Sequence, residues 1–337
     1  MTLRRTAAAL LALGVVLALA GACTATPAPP PPRPAPAPPP VPGTGPIGGT
    51  AGPGTTLAGC PVFPADHAWN RNIASAPVRP DSAGVVAQVL AHGGANLHAD
   101  FGGGGQYGIP FTVVAGGPLI PVNYTAYGDE SDPGPFPVPL TAPVEGGAAS
   151  DGDRHVLTLD SSTCRLYELY DAHPGAGSWS AASGAVWNLR SNALRPAGWT
   201  SADAAGLAIL PGLARYDEVA SGAITHALRF TVRRTRDATV LPATHAAATC
   251  TDDCAHAPAM GMRFRLKAGF DRSRYTGQAR VILDALATYG MIVADNGSNW
   301  FISGDGDPRW NDDDLNQLKS VPGSAFEVVD TGAVNPG

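Results

Sequence analysis

Apolar and polar residues alternate on both sides of Ser161-Ser162, within residues 151–171, DGDRHVLTLDSSTCRLYELYD. A period of two predicts a β-hairpin around a short polar turn. A turn centred on Ser161-Ser162 pairs Asp160 with Thr163, Leu157 with Leu166 and His155 with Glu168. Strand side chains point alternately to opposite faces. His155, Leu157 and Leu159 therefore share a face with Leu166, Glu168 and Tyr170. That face is apolar except for one imidazole and one carboxylate, set opposite each other with Cβ atoms roughly 5 Å apart.

The same alternation predicts strands at residues 111–114, 119–124, 178–189, 224–232 and 262–267. Residues 291–295 and 299–303 flank Asn296-Gly297, and this pair favours the positive φ angles of a type I′ hairpin turn. Helical spacing is confined to short pieces. Residues 82–90 carry Val85, Val86, Val89 and Leu90 on one face and stop at Gly93-Gly94. Residues 276–289 carry Val281, Ile282, Leu283, Leu286 and Ala287 and stop at Gly290. Asp312–Asp314 form the acidic first turn of a third helix ending near Lys319. The expected fold is mainly β: a single antiparallel β-sandwich, jelly-roll-like, with two or three short peripheral helices. It should occupy residues 60–332.

Composition supports this reading. Glycine (41) and proline (33) are abundant and only 15% of residues are charged, which favours short strands and turns over long helices. A formal charge of −6 argues against nucleic acid or anionic lipid as a partner.

The N-terminus reads as an export signal over residues 1–22. Arg4-Arg5 precede an apolar run from Ala7 to Ala20, shorter than the ~20 residues that span a bilayer. Leu19-Ala-Gly-Ala-Cys23 resembles a bacterial lipoprotein box, with Ala20 where a leucine is usual. The resemblance implies lipidation of Cys23; cleavage after Ala22 with Cys23 incidental is the alternative. Residues 23–59 are rich in proline, alanine and glycine and describe a stiff spacer. The chain is thus expected outside the cytoplasm, lipid-anchored to the membrane's outer face or secreted, with no other membrane contact.

Four further cysteines in an exported chain suggest two disulfides. The expected pairs are Cys250–Cys254, closing a small loop, and Cys60–Cys164, tying the domain start to the hairpin. A zinc site drawing on Cys250, Cys254, His245 and His256 is the alternative.

Several familiar sites are missing. The sequence has no G-x-S-x-G elbow, no H-E-x-x-H and no P-loop. Gly103, Gly105 and Gly108 match G-x-G-x-x-G, but β-prone residues follow instead of a helix, so this is a loop, either bordering a site or merely connecting. Asp305 and Asp307 lack the rest of a calcium loop. Arg229, Arg263, Arg265 and Lys267 alternate along two strands and form either a cationic strip or a wet sheet face.

Arg190-Ser-Asn-Ala-Leu, Thr225-His226 and Phe264-Arg-Leu-Lys-Ala-Gly-Phe270 resemble the three strand motifs of jelly-roll alginate lyases, roughly R-[ST]-E-L, Q-[IV]-H and Y-F-K-A-G-x-Y. Under twenty residues are covered. The chain departs at Asn192, Thr225 and Phe270, the last replacing the acid/base tyrosine, for which Tyr275 is the nearby substitute. The resemblance implies that Arg190 and His226 neutralise a uronate and assist proton abstraction.

The leading expectation is a cell-surface glycoside hydrolase or polysaccharide lyase with no cofactor or metal. Hydrolysis uses two carboxyl groups. Glu168, kept protonated by its apolar face and by His155, is the expected general acid. Asp129, Glu130 or Asp132 in the proline-broken loop at 127–139 is its partner. Trp187, Trp199, Tyr170, His98 and Asp100 are expected to contact the glycan. A non-catalytic carbohydrate- or wall-binding lipoprotein and a structural β-domain are the alternatives. A cleft with paired acids, an aromatic platform, or full burial of His155 and Glu168 separates the three.

Overall fold

The computed structural model describes residues 49–337. The expected signal, Cys23 and most of the spacer lie outside the described residues. The chain is mainly β, with several sheets and a few short helices. The folded part extends beyond both expected limits. Thr50–Ala51 pairs with Arg71–Asn72, and Val334–Pro336 pairs with Ala238–Val240.

One sheet contains β1 (Phe111–Val114), β2 (Val156–Asp160), β3 (Arg165–Tyr170) and β4 (Ser183–Asn188), in the order β4-β3-β2-β1. A second contains β5 (Leu228–Val232), β6 (Arg263–Leu266), β7 (Met291–Asn296), β8 (Phe301–Ile302) and β9 (Phe326–Val329), in the order β8-β5-β7-β6-β9. The expectation of antiparallel pairing throughout fails, because β1 runs parallel to β2 and β5 parallel to β7. Both sheets feed one core. Leu157, Leu159 and Leu166 from the first join Leu228, Phe230 and Phe264 from the second. Val156 and Leu169, on the other face of the first sheet, pack with Phe136, Val138 and Trp179 in a separate cluster.

The hairpin β2–β3 forms with the expected division of faces but slips by two residues. Asp160 pairs with Arg165, so Leu157 faces Glu168. The cause is the turn. The Asp160 carboxylate accepts from Ser162 N, Ser162 Oγ and Thr163 Oγ1, at 3.0, 2.6 and 2.7 Å. Cys164 takes a positive φ of 52°. The turn is therefore centred one residue later than expected. An even slip leaves every side chain on its face.

The second expected hairpin does not form, since β5 inserts between β7 and β8. Neither Asn296 nor Gly297 adopts a positive φ; Trp300 does, at 67°. The Asn296 side chain is used elsewhere, accepting from Thr235 Oγ1 at 2.9 Å and donating to Ala247 O at 2.7 Å. The three expected helices form, α1 (Ser82–Ala91), α2 (Gly277–Thr288) and α3 (Asp312–Gln317), and one short helix that was not expected spans Tyr216–Ala220. Gly290 ends α2 with φ 69°, and a Cβ there would lie 2.3 Å from the Phe264 carbonyl oxygen, so only glycine fits.

Arg263 and Arg265 form neither a cationic strip nor a wet face. Both are buried, and they donate to carbonyls of the N-terminal segment, including Ala68 and Ile73, at 2.6 and 2.7 Å.

Cys60–Cys164 and Cys250–Cys254 are disulfides, so these thiols are not zinc ligands. Two disulfides indicate oxidising, extracytoplasmic surroundings. Among the described residues no helix is long and apolar enough to cross a membrane. The sequence separations are 104 and 4 residues. Replacing both Cys60 and Cys164 by alanine should lower stability by about 2–4 kcal/mol, and replacing Cys250 and Cys254 by clearly less, because loop-closure entropy grows with loop length. Urea unfolding of the two double variants decides this; equal losses would contradict it.

Candidate active site

A cavity of about 310 Å³ opens between the two sheets, walled among others by Asp100, Glu145, Asp153, His155, Arg229 and Asp295. The segment entering β2 supplies Glu145, Asp153 and His155. Arg229 comes from β5 and Asp295 from the end of β7. A bulge aims Asp295. Arg229 pairs with Ile292 and Phe230 with Val293, but Thr231 pairs with Asp295, leaving Ala294 as the extra residue. Paired residues of a ladder share a face. In a regular ladder Ala294 would face Thr231 and Asp295 would lie opposite Val232, on the core side; with the bulge, Asp295 stands beside Thr231 on the cavity side. The carbonyl of Ala294 accepts from Ala205 N at 3.0 Å, which docks the loop carrying Asp203 onto the bulge.

Arg229 organises the charges. Its Nε and Nη2 donate to the two oxygens of Asp203 at 3.1 and 2.9 Å, and Nη1 donates to Ser303 Oγ at 2.7 Å. The Asp203 side chain is wholly buried. Asp295 lies 3.6 Å from Nη2, beyond hydrogen-bond reach, and receives the Asn296 amide at 2.7 Å. Burial, followed by the like charge of Asp203, pushes the Asp295 carboxyl up to about 7; Arg229 and His155 offset this only in part. About a fifth of the side chain stays open to the cavity (22%), so the proton it keeps is accessible.

His155 is buried, with Nδ1 2.5 Å from Glu145 Oε2 and Nε2 3.0 Å from Ala202 O. Both ring nitrogens face acceptors, which suits the imidazolium. Burial opposes that charge, but the bond to Glu145 and its charge outweigh it and raise the imidazole to about 9. Burial likewise opposes ionisation of Glu145, and His155 reverses the balance, holding it below the usual carboxylate range. The pair is a charged strut at neutral pH, leaving no free base on His155.

His155 and Glu168 do not bond to each other, and both are buried, which is the outcome that assigns this pair a structural role and leaves any chemistry to other residues. His155 pairs with Glu145, and its ring lies 5.7 Å from that of Tyr170. Glu168 is sealed beneath the first sheet. It accepts from Trp187 Nε1 at 3.0 Å, Ile209 N at 3.0 Å and Leu210 N at 2.9 Å. Burial raises its carboxyl to about 7, against the pull of the Leu210 and Ile209 amides. All of its partners are donors, so Glu168 fastens the 209–212 turn to the sheet. Glu168→Gln turns an amide N–H₂ toward N–H groups and should cost about 1–3 kcal/mol. Thermal melts that overlay the parent protein would refute this role.

The remaining expected residues are scattered. Asp129 is exposed. Glu130 accepts from Thr200 N at 2.8 Å, and Asp132 accepts from Arg195 at 2.6 Å and Val186 N at 2.9 Å. Arg190, exposed, donates to Thr163 O. His226 is buried against Glu218 at 3.0 Å, and the Tyr275 hydroxyl meets Ser320. Arg190, His226 and Tyr275 are thus each bonded to a different neighbour and not to one another, and the arrangement implied by the lyase motifs is not assembled. Trp199 lies against Arg195. His98 stacks on Phe301 at 4.2 Å, and His98 Nδ1 lies 3.2 Å from Asp100, which also pairs with Lys319 at 2.7 Å. Asp305 is occupied by Tyr216 N and Trp310 Nε1, and Asp307 by Arg309. Among the described residues no group of three or more His, Cys, Asp or Glu is placed to hold a metal ion.

No family model, curated protein or solved structure matches the chain. The cavity therefore has to be read from its own chemistry. Sequence reasoning missed Glu145, Asp153, Arg229 and Asp295 as site residues. Arg229 was legible only as one of an alternating set of basic residues, and Asp295 only as the end of a strand.

Proposed function

We propose that the chain is an extracytoplasmic enzyme that cleaves a glycosidic bond with Asp295 as general acid. The observation that carries this reading is a pair of unlike carboxyl groups in one cavity. Asp295 keeps its proton to about pH 7, and Asp153 is exposed on the same wall with no side-chain partner among the described residues. Asp153 takes the second role, activating water or attacking the sugar, since it has no ion pair to break first. Glu145 and His155 hold the wall in place beside it. The two larger sheets sharing one core support a sandwich-like scaffold, and the lipoprotein-like box at Cys23 supports a lipid anchor. A Cys23→Ala variant should then pass from the membrane fraction to the medium; equal retention would refute the anchor.

Reducing-sugar release from neutral, amino-bearing and acidic glycans tests the activity, with Asp295→Asn as the control. Release by the parent protein alone supports the reading. Release undiminished by Asp295→Asn, or no release from any class, overturns it. Retention on a glycan without turnover would select the non-catalytic wall-binding role instead.

A further inference from the structure

The cavity that holds Asp295 is the middle of three. It shares Asp100 with a cavity of about 430 Å³ on one side. On the other side it shares Asp153, Asp295 and Asn296 with one of about 280 Å³. The two outer cavities have no wall residue in common, so the three follow one another in a line. Between the middle cavity and the larger outer one the wall includes backbone of a glycine loop, with Gly102 and Gly103 in the outer cavity and Gly108 in the middle one.

Each end of the line carries a tyrosine that the core does not cover. Tyr107 borders one outer cavity and is 55% exposed; Tyr127 borders the other and is 47% exposed. They are the two aromatic residues among the exposed large hydrophobic side chains of the described residues. Phe301, stacked on His98, lies in the wall between them. Exposed rings at both ends of a polar trough suit stacking on successive sugar faces, since the apolar face of a pyranose covers a ring and its hydroxyls stay in water.

The charges of the walls narrow the ligand. Arg229 is committed to Asp203, Lys319 to Asp100 and His155 to Glu145. Asp153 and Asp312 remain over, without a cationic partner among the described residues, beside Asp295 and beside His245, whose Nδ1 faces the Ala204 carbonyl at 2.7 Å. A uronate would meet the carboxylates of Asp153 and Asp312 and no unpaired Arg or Lys at these walls, at a cost that desolvation in the trough increases.

We propose that the three cavities form one groove holding an internal stretch of an extended, uronate-free glycan, with Tyr107 and Tyr127 as stacking platforms at its ends and Asp295 at its centre. This rests on the glycoside-cleaving reading and adds that the enzyme acts within a polymer.

Affinity gel electrophoresis of the Asp295→Asn protein tests it, with the uronate-free polymers arabinoxylan, glucomannan and mixed-linkage β-glucan, or with polygalacturonate, cast in the gel. At least one of the first three should retard the protein, and polygalacturonate should not. Tyr107→Ala and Tyr127→Ala, both at exposed positions, should each weaken that retardation by about three- to tenfold. Retardation unchanged by both substitutions, retardation by polygalacturonate, or none by any polymer overturns the groove. Turnover of short aryl glycosides by the parent protein, with no polymer binding, overturns the groove and keeps the hydrolase. Polymer binding that both tyrosine variants weaken, with no turnover by the parent protein, keeps the groove and overturns the hydrolase.

Discussion

Asp295→Asn is expected to slow glycan cleavage by about 10²- to 10⁴-fold, the usual worth of a general acid, while the protein stays folded. The amide keeps the shape of the carboxyl and can still lie beside Thr231, but it has no proton to give a leaving oxygen. The pH profile follows from the same residue. Asp295 must be protonated to act, so activity should fall as pH rises through about 7. Stability should move the other way in the variant. A carboxyl raised in the fold ionises less readily there than in the unfolded chain. The parent protein therefore loses stability as pH climbs from the ordinary aspartate range through about 7. Asparagine has no such loss, so the variant should equal the parent in acid and exceed it above neutrality, by up to about 4 kcal/mol. Initial rates and urea midpoints between pH 5 and 9 measure both limbs. A variant that keeps a tenth of the parent rate, or that is less stable at high pH, would sink the assignment.

Arg229→Met should be the most damaging single change to the fold near the cleft, costing about 3–5 kcal/mol at neutral pH. Methionine fills the volume of the stem but leaves Asp203 wholly buried without the two hydrogen bonds at 3.1 and 2.9 Å that compensate its charge. Adding Asp203→Asn should restore part of the loss, because the stranded charge disappears with it. Acidification should help the single variant, since an unpaired buried aspartate has a raised pKa and the cost fades as it takes up a proton. Denaturation of the single and double variants at pH 5 and 7 tests all three statements. A loss below about 1 kcal/mol would mean that Asp203 has found water or another donor.

What was legible in the sequence was what short-range pattern encodes. The face shared by His155, Leu157, Leu159, Leu166, Glu168 and Tyr170 follows from alternation, two of the helices follow from apolar spacing, and a third follows from its acidic first turn. Both disulfides followed from compartment and spacing. The register of β2–β3 did not, because it depends on how the Asp160 side chain captures the turn, and Ser161-Ser162 looks as good a turn as Ser162-Thr163. The failure at Asn296-Gly297 has a longer range. A local turn preference worth a fraction of a kilocalorie yields when a strand from some 65 residues earlier takes the place of the hairpin partner. The site itself was the least legible part. Glu145, Asp153, Arg229 and Asp295 come from distant segments, and nothing in the spacing between them reports that they meet. Glu168 misled for a physical reason: a carboxylate on an apolar face needs donors, and those came from backbone amides of residues 209 and 210.

The single surplus residue at Ala294 places the site's chemistry in the arithmetic of a strand. Substitutions along β7 tune how well the strand packs and leave the direction of Asp295 alone. A shift of one residue that paired Ala294 with Thr231 would yield a more regular strand, set Asp295 opposite Val232 and turn the acid into the core, whereas deletion of Ala294 would straighten the strand and leave the acid on the cavity side. In descent, a chain that took up that shift would lose its reaction while keeping almost every residue of its sequence. Whether this strand keeps its bulge, more than any change of residue type on it, is therefore where related sequences that have gained or lost the activity would part.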